Sequence, residues 1–135
     1  MGNGYFQYER LINLDNGDLE RMKSSYGYLF EIESKTRKQA NVLLENLYGA
    51  NSSIILSSQY KNKLSNKSLE NMYFHELVSF LKMVPVLKES FGESYIKDLM
   101  QLIPIRNKIA HCNFINDKEF ALLSRTYYLY ENKFK

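Results

Sequence analysis

The stretch from Asp18 to about Tyr48 constrains this chain most. Its apolar residues return at helical spacing: Leu19, Met22, Tyr26, Leu29, Phe30, then Ala40, Leu43, Leu44 and Leu47. That period fits the 3.6-residue turn of an α-helix and not the two-residue repeat of a strand. It predicts one long helix, or two joined near Ser34, with Gly49 as the stop. The pattern recurs after Leu69 (Tyr73, Phe74, Leu77, Val78, Leu81), again from Tyr95 to Ile103, and finally through Phe120, Leu123, Tyr127 and Tyr130. Strand-like alternation survives nowhere for more than a few residues. The expected fold is an all-α bundle of about four to five helices.

Local signals divide the bundle. Pro85 removes a helical hydrogen bond and clashes with the preceding turn, so a kink or break is expected there, and Gly92 closes that segment. Asn116, with Glu119 three residues later, approximates a capping box for the last helix. Residues 50 to 67 are a polar connector containing Lys61, Lys63 and Lys67 and no acid, in which Ile54, Ile55 and Leu56 are expected to form a short turn tucked into the core. Residues 1 to 17 hold three glycines and two Asn-Gly pairs. They read as an N-terminal arm docking through Tyr5, Phe6 and Tyr8, which leaves 18 to 135 as one helical domain with a single core.

The chemistry concentrates in Ile105-Arg106-Asn107-Lys108-Ile109-Ala110-His111-Cys112-Asn113, with no Asp or Glu between Asp98 and Asp117. An arginine, an asparagine, a lysine and a histidine in so short a run suit an anionic ligand. Ile109 and Ala110 argue that the run packs against the core, which makes its charges costly to place without a purpose. Two geometries follow from Pro104. If Pro104 opens a new helix, Arg106 and Asn107 lie in its first turn, where backbone N–H groups face an anion. If the helix runs through, Asn107 and His111 share a face and Arg106 lies about 140° away.

Arg106, Asn107, three spacers and His111 resemble the Arg-to-His motif of the HEPN superfamily. The surroundings are similar too. A long helix carries Glu33 and Arg37 and ends in Leu-Tyr-Gly, and a later helix leads through Leu99 and Leu102 into the motif, with a final helix after the histidine. The likeness covers residues 18 to 133 and implies a HEPN-like helical bundle. Taken by themselves, Glu33 and Arg37 read as a solvated pair four residues apart.

The resemblance implies a metal-independent endoribonuclease of bacterial toxin or anti-phage defence type. Such an enzyme acts as a homodimer on RNA and leaves a 2′,3′-cyclic phosphate. It implies Arg106, Asn107 and His111 as catalytic residues and, as a restraining partner, a nucleotidyltransferase-like antitoxin or another defence-system component. The residue types suit the reaction. An imidazole, titrating near 6.5 in isolation, can take or give a proton at neutral pH, and a guanidinium can hold two phosphate oxygens. Asn107 would orient the histidine or the phosphate, and Lys108 would bind substrate. The alternative is a non-catalytic HEPN module that binds RNA, a nucleotide or a protein partner.

Other classes find little support. Cys112 is the only cysteine, and with His75 and His111 it offers no familiar zinc spacing, so no metal or cofactor is expected. Adjacent helical positions point about 100° apart, which argues against a Cys112–His111 nucleophile pair. No phosphate-cradling glycine loop is present. A net charge of +3 tolerates an acidic partner without requiring one. The start lacks a basic region followed by an apolar run, and no segment nears the roughly 18 apolar residues of a membrane span, so the chain reads as cytoplasmic.

Overall fold

The computed structural model describes residues 16–59 and 67–133. Every regular element among them is helical: α1 (Asn16–Tyr48), α2 (Ser52–Gln59), a 3₁₀ turn at Leu69–Asn71, α3 (Phe74–Met83), α4 (Pro85–Phe91), α5 (Glu93–Ala110) and α6 (Asp117–Tyr130). Among the described residues the fold is all-α, with six α-helices where four to five were expected for the chain. The docking residues of the N-terminal arm (Tyr5, Phe6, Tyr8) and the connector lysines Lys61 and Lys63 lie outside the described residues.

The additional helices have local causes. Val84 is extended (ψ 114°) and Pro85 occupies the first position of α4, so the proline breaks the segment. Gly92, at φ +88°, closes α4 and opens α5. The connector forms α2, but with the opposite face inward from the one expected. Ser52, Ser53 and Ser57 are buried, whereas Ile54 and Ile55 are exposed and only Leu56 packs against the core. Two of the three buried hydroxyls bind the neighbouring backbone: Ser57 Oγ lies 2.9 Å from the Ile54 carbonyl and 3.0 Å from that of Lys67, and Ser53 Oγ accepts from the Leu69 N–H at 3.4 Å.

The long first helix is continuous through Ser34 and ends at Gly49, whose φ of +90° is the left-handed stop that a residue without Cβ adopts freely. Its inward stripe is Ser25, Leu29, Ile32, Thr36, Ala40 and Leu44, spaced three or four apart. Tyr26, Phe30 and Leu47, part of the apolar recurrence, face solvent instead. Small residues bring α1 close to its neighbours, and their hydroxyls are satisfied at once. Ser25 donates to the Arg21 carbonyl and Thr36 to that of Ile32, each at 2.6 Å. Around this stripe close Leu69, Phe74, Leu77, Phe80, Leu81, Leu87, Phe91, Leu99, Leu102 and Leu123, all buried in one cluster.

The last helix packs along α1 behind the expected capping box. Asn116 Oδ1 accepts from the Glu119 N–H at 2.8 Å, and Glu119 Oε1 accepts from the Asn116 N–H at 2.9 Å. Tyrosines line this seam: Tyr127 donates to the Glu31 carboxylate, and the Tyr28 and Tyr128 hydroxyls lie 3.0 Å apart. Tyr95, buried beneath, has its hydroxyl 2.5 Å from that of Thr36. Burial pushes the Tyr95 phenol up to about 12, and the hydrogen bond to Glu31 pushes Tyr127 up to about 12.

An alkaline limit to stability follows. In the unfolded chain tyrosines ionise near 10, so between 10 and 12 the unfolded state holds fewer protons than the native state, and stability falls as pH rises. Absorbance titration of the native protein is expected to show most of the eleven tyrosines ionising before Tyr95 and Tyr127. The delayed part should merge with the main wave in urea, and a single wave near 10 in the native protein would contradict this seam.

Candidate functional site

Pro104 lies inside α5, and the helix runs through it. The proline is exposed and so is Met100, whose carbonyl loses its helical partner on the solvent side of the helix. Because α5 begins at Glu93, the Arg-to-His run occupies its last turn and not a helical N-terminus. Helix carbonyls gather at that end and carry partial negative charge. An anion bound here must therefore be held by side chains.

The helix ends in a Schellman turn. The Cys112 N–H donates to the Ile109 carbonyl at 3.0 Å and the Asn113 N–H to the Lys108 carbonyl at 2.8 Å. This makes His111 the C-cap, at φ −96° and ψ 15°, and puts Cys112 in the left-handed region at φ +58°. His111, Cys112 and Asn113 are all exposed. The expected packing of the run holds for Ile105, which is buried, and for Ile109, which packs against the core; Ala110 is exposed.

Cys112 fills a place that glycine usually takes. Relief of left-handed strain is worth about 1–2 kcal/mol. Glycine's larger unfolded-state entropy takes back about 0.5–1 kcal/mol. Cys112→Gly is therefore expected to stabilise the protein by about 0.5–1 kcal/mol. Urea unfolding should show a higher midpoint at unchanged slope. A lower midpoint would mean that the exposed thiol makes a contact of its own.

The run is free of acids in sequence but not in space. Glu33 of α1 stands between two arginines: its Oε2 accepts from Arg37 at 2.7 Å, and its Oε1 lies 3.8 Å from Arg106 Nε. Arg37 also donates to the carbonyls of Leu69 and Met72, at 2.5 and 2.7 Å. Glu33 and Arg37 are thus a partly buried pair that ties α1 to the 3₁₀ turn, and not the solvated pair that their spacing suggested.

Lys108 reaches Glu119 at 2.8 Å. That bond, with the N–H of Asn116, holds the Glu119 carboxyl below the usual carboxylate range. Of the four residues singled out, Lys108 therefore has a structural task, joining the end of α5 to the start of α6. Arg106, one-third exposed, has only the longer contact to Glu33. Asn107 and His111 are open to solvent.

Beside Arg106 a groove of about 450 Å³ runs between α1 and the end of α5. Tyr26, Phe30 and Glu33 line it from α1, facing Arg106, Ile109 and Cys112. In the sequence Tyr26 and Phe30 show only as two aromatics four apart that join the apolar recurrence of α1, and their exposure beside Arg106 is visible only in the structure.

His75 lies apart from this region, exposed and stacked 6.0 Å from the Tyr73 ring. Among the described residues no group of three or more His, Cys, Asp or Glu side chains is placed to hold a metal ion, and no helix is long and apolar enough to cross a membrane. No protein-family model, curated protein or solved structure matches the chain.

Proposed function

We propose that this chain is a metal-independent endoribonuclease of the HEPN type, working as a homodimer in the cytoplasm. The carrying observation is that one helix end presents Arg106 and His111 to solvent, with Arg106 held only loosely by a carboxylate 3.8 Å away. An arginine so placed can exchange that contact for phosphate oxygens.

In the reaction a base removes the 2′-hydroxyl proton and the oxygen attacks the adjacent phosphorus. The bond to the 5′-oxygen breaks, and an acid protonates that leaving oxygen, giving a 2′,3′-cyclic phosphate and a free 5′-hydroxyl. His111 supplies proton transfer, and Arg106 neutralises the charge that builds on the equatorial oxygens. Asn107 orients the phosphate or the imidazole. Lys108 assists binding only to the extent that it leaves Glu119.

Each motif has one histidine, and pairing two protomers gives the reaction a separate acid and base. A toxin or anti-phage role fits such an activity, restrained by a partner of nucleotidyltransferase-like antitoxin or other defence type. The test is incubation of the purified chain with total RNA in EDTA, followed by analysis of the ends and of the mass in solution. Cyclic phosphate ends from a dimer are the expected result. Salt-sensitive RNA binding without any product would replace this reading with that of a binding module.

A further inference from the structure

We propose that the groove between α1 and α5 is a nucleobase subsite, in which one unpaired base of the RNA stacks on Tyr26 and Phe30 while its phosphate meets Arg106. This rests on the endoribonuclease reading and specifies the substrate as single-stranded at that position. Tyr26 and Phe30 are 64% and 61% exposed, although α1 buries its opposite face in the core. They stand one turn apart with ring centroids 6.4 Å apart and planes within 18° of parallel, so the two rings present similarly oriented faces for stacking.

The facing wall carries a guanidinium, and the volume of about 450 Å³ falls in the range of small-ligand sites. A ligand that fits is flat and weakly polar at one end and anionic at the other. A nucleotide has that form. A subunit core fits less well, because such cores are depleted of glutamate, whereas this groove contains Glu33. Glu33, held by Arg37, offers its carboxylate to an exocyclic amino group or a ribose hydroxyl.

The probe is a single-stranded oligonucleotide made uncleavable by 2′-O-methylation and carrying one 2-aminopurine, whose fluorescence is quenched on stacking. Parent protein is expected to quench it, and the Tyr26→Ala/Phe30→Ala double variant to bind about tenfold more weakly with the quench lost. Phe30→Trp should keep both. A fully paired duplex should give no quench. Both alanine positions are exposed, so circular dichroism should match the parent.

Equal affinity and quench in parent and double variant would overturn the subsite. So would conversion of a dimeric parent to monomer by the double variant, since the aromatics would then be a subunit contact. If the parent quenches the probe but leaves an unmodified oligonucleotide intact, the nuclease reading fails and the base subsite stands. A parent that neither binds nor cuts RNA overturns both.

Discussion

Replacing His111 by alanine is expected to lower the rate of RNA cleavage by about 10³-fold, within the range that a positioned acid or base contributes. If both protomers' histidines act in one cleft, the loss moves to about 10⁴-fold, because the change removes acid and base together. The fold should not suffer, since the side chain is exposed at the C-cap of α5 and the turn beyond it is closed by backbone hydrogen bonds. Arg106→Ala is expected to cost about 10²–10³-fold through lost charge stabilisation. It gives up only a long, partly exposed contact to Glu33, worth less than about 1 kcal/mol to stability. Arg106→Lys should recover little, because an ammonium cannot grip two phosphate oxygens in a plane. Initial rates on a defined oligonucleotide in EDTA, with circular dichroism and solution mass as controls, measure these effects. Folded variants that cut as fast as the parent would end the nuclease reading.

What could be read from the sequence was what neighbouring residues decide. Asn116 and Glu119 satisfy each other within one turn, Val84-Pro85 cannot continue a helix, and Gly49 and Gly92 adopt φ values that other residues avoid. These signals located the helices because their physics is complete within a few residues. Facing was harder. The inner stripe of α1 includes Ser25 and Thr36, whose hydroxyls bond the carbonyl one turn back and so enter the core without penalty. An apolar count cannot see that, and it groups Tyr26 and Phe30 with the core residues.

The same limit applied to charge. The run from Ile105 to Asn113 looks purely basic, yet Glu33 and Glu119 meet Arg106 and Lys108 from other helices. For Arg37, the carbonyls that give it a structural role belong to Leu69 and Met72, more than thirty residues away. Pro104 was legible as a choice between two geometries, and its position on the exposed side of α5 decided for the continuous helix.

Arg37 carries the largest expected effect on stability. Its guanidinium makes three charge-assisted hydrogen bonds, two to backbone carbonyls of the segment entering α3 and one to Glu33. The side chains of the pair are 18% and 23% exposed, so solvent can only partly replace what is lost. Breaking a fully buried pair costs about 3–5 kcal/mol, and this exposure puts Arg37→Ala near the lower end, about 3 kcal/mol. Arg37→Lys should restore only part, because one ammonium cannot span two carbonyls and a carboxylate as the planar fork does.

The loss should also reach the candidate site. Without Arg37, the carboxylate of Glu33 has Arg106 as its nearest cation, and a tighter Glu33–Arg106 pair withdraws the charge meant for phosphate. RNA binding by Arg37→Ala is therefore expected to weaken even at temperatures where the variant is fully folded. Glu33→Gln in the same background should return the binding but not the stability. Urea unfolding together with oligonucleotide titration separates the two effects. A stability change under about 1 kcal/mol would show that water replaces Arg37 at the two carbonyls. Unchanged binding in the folded variant would show that Glu33 does not govern Arg106.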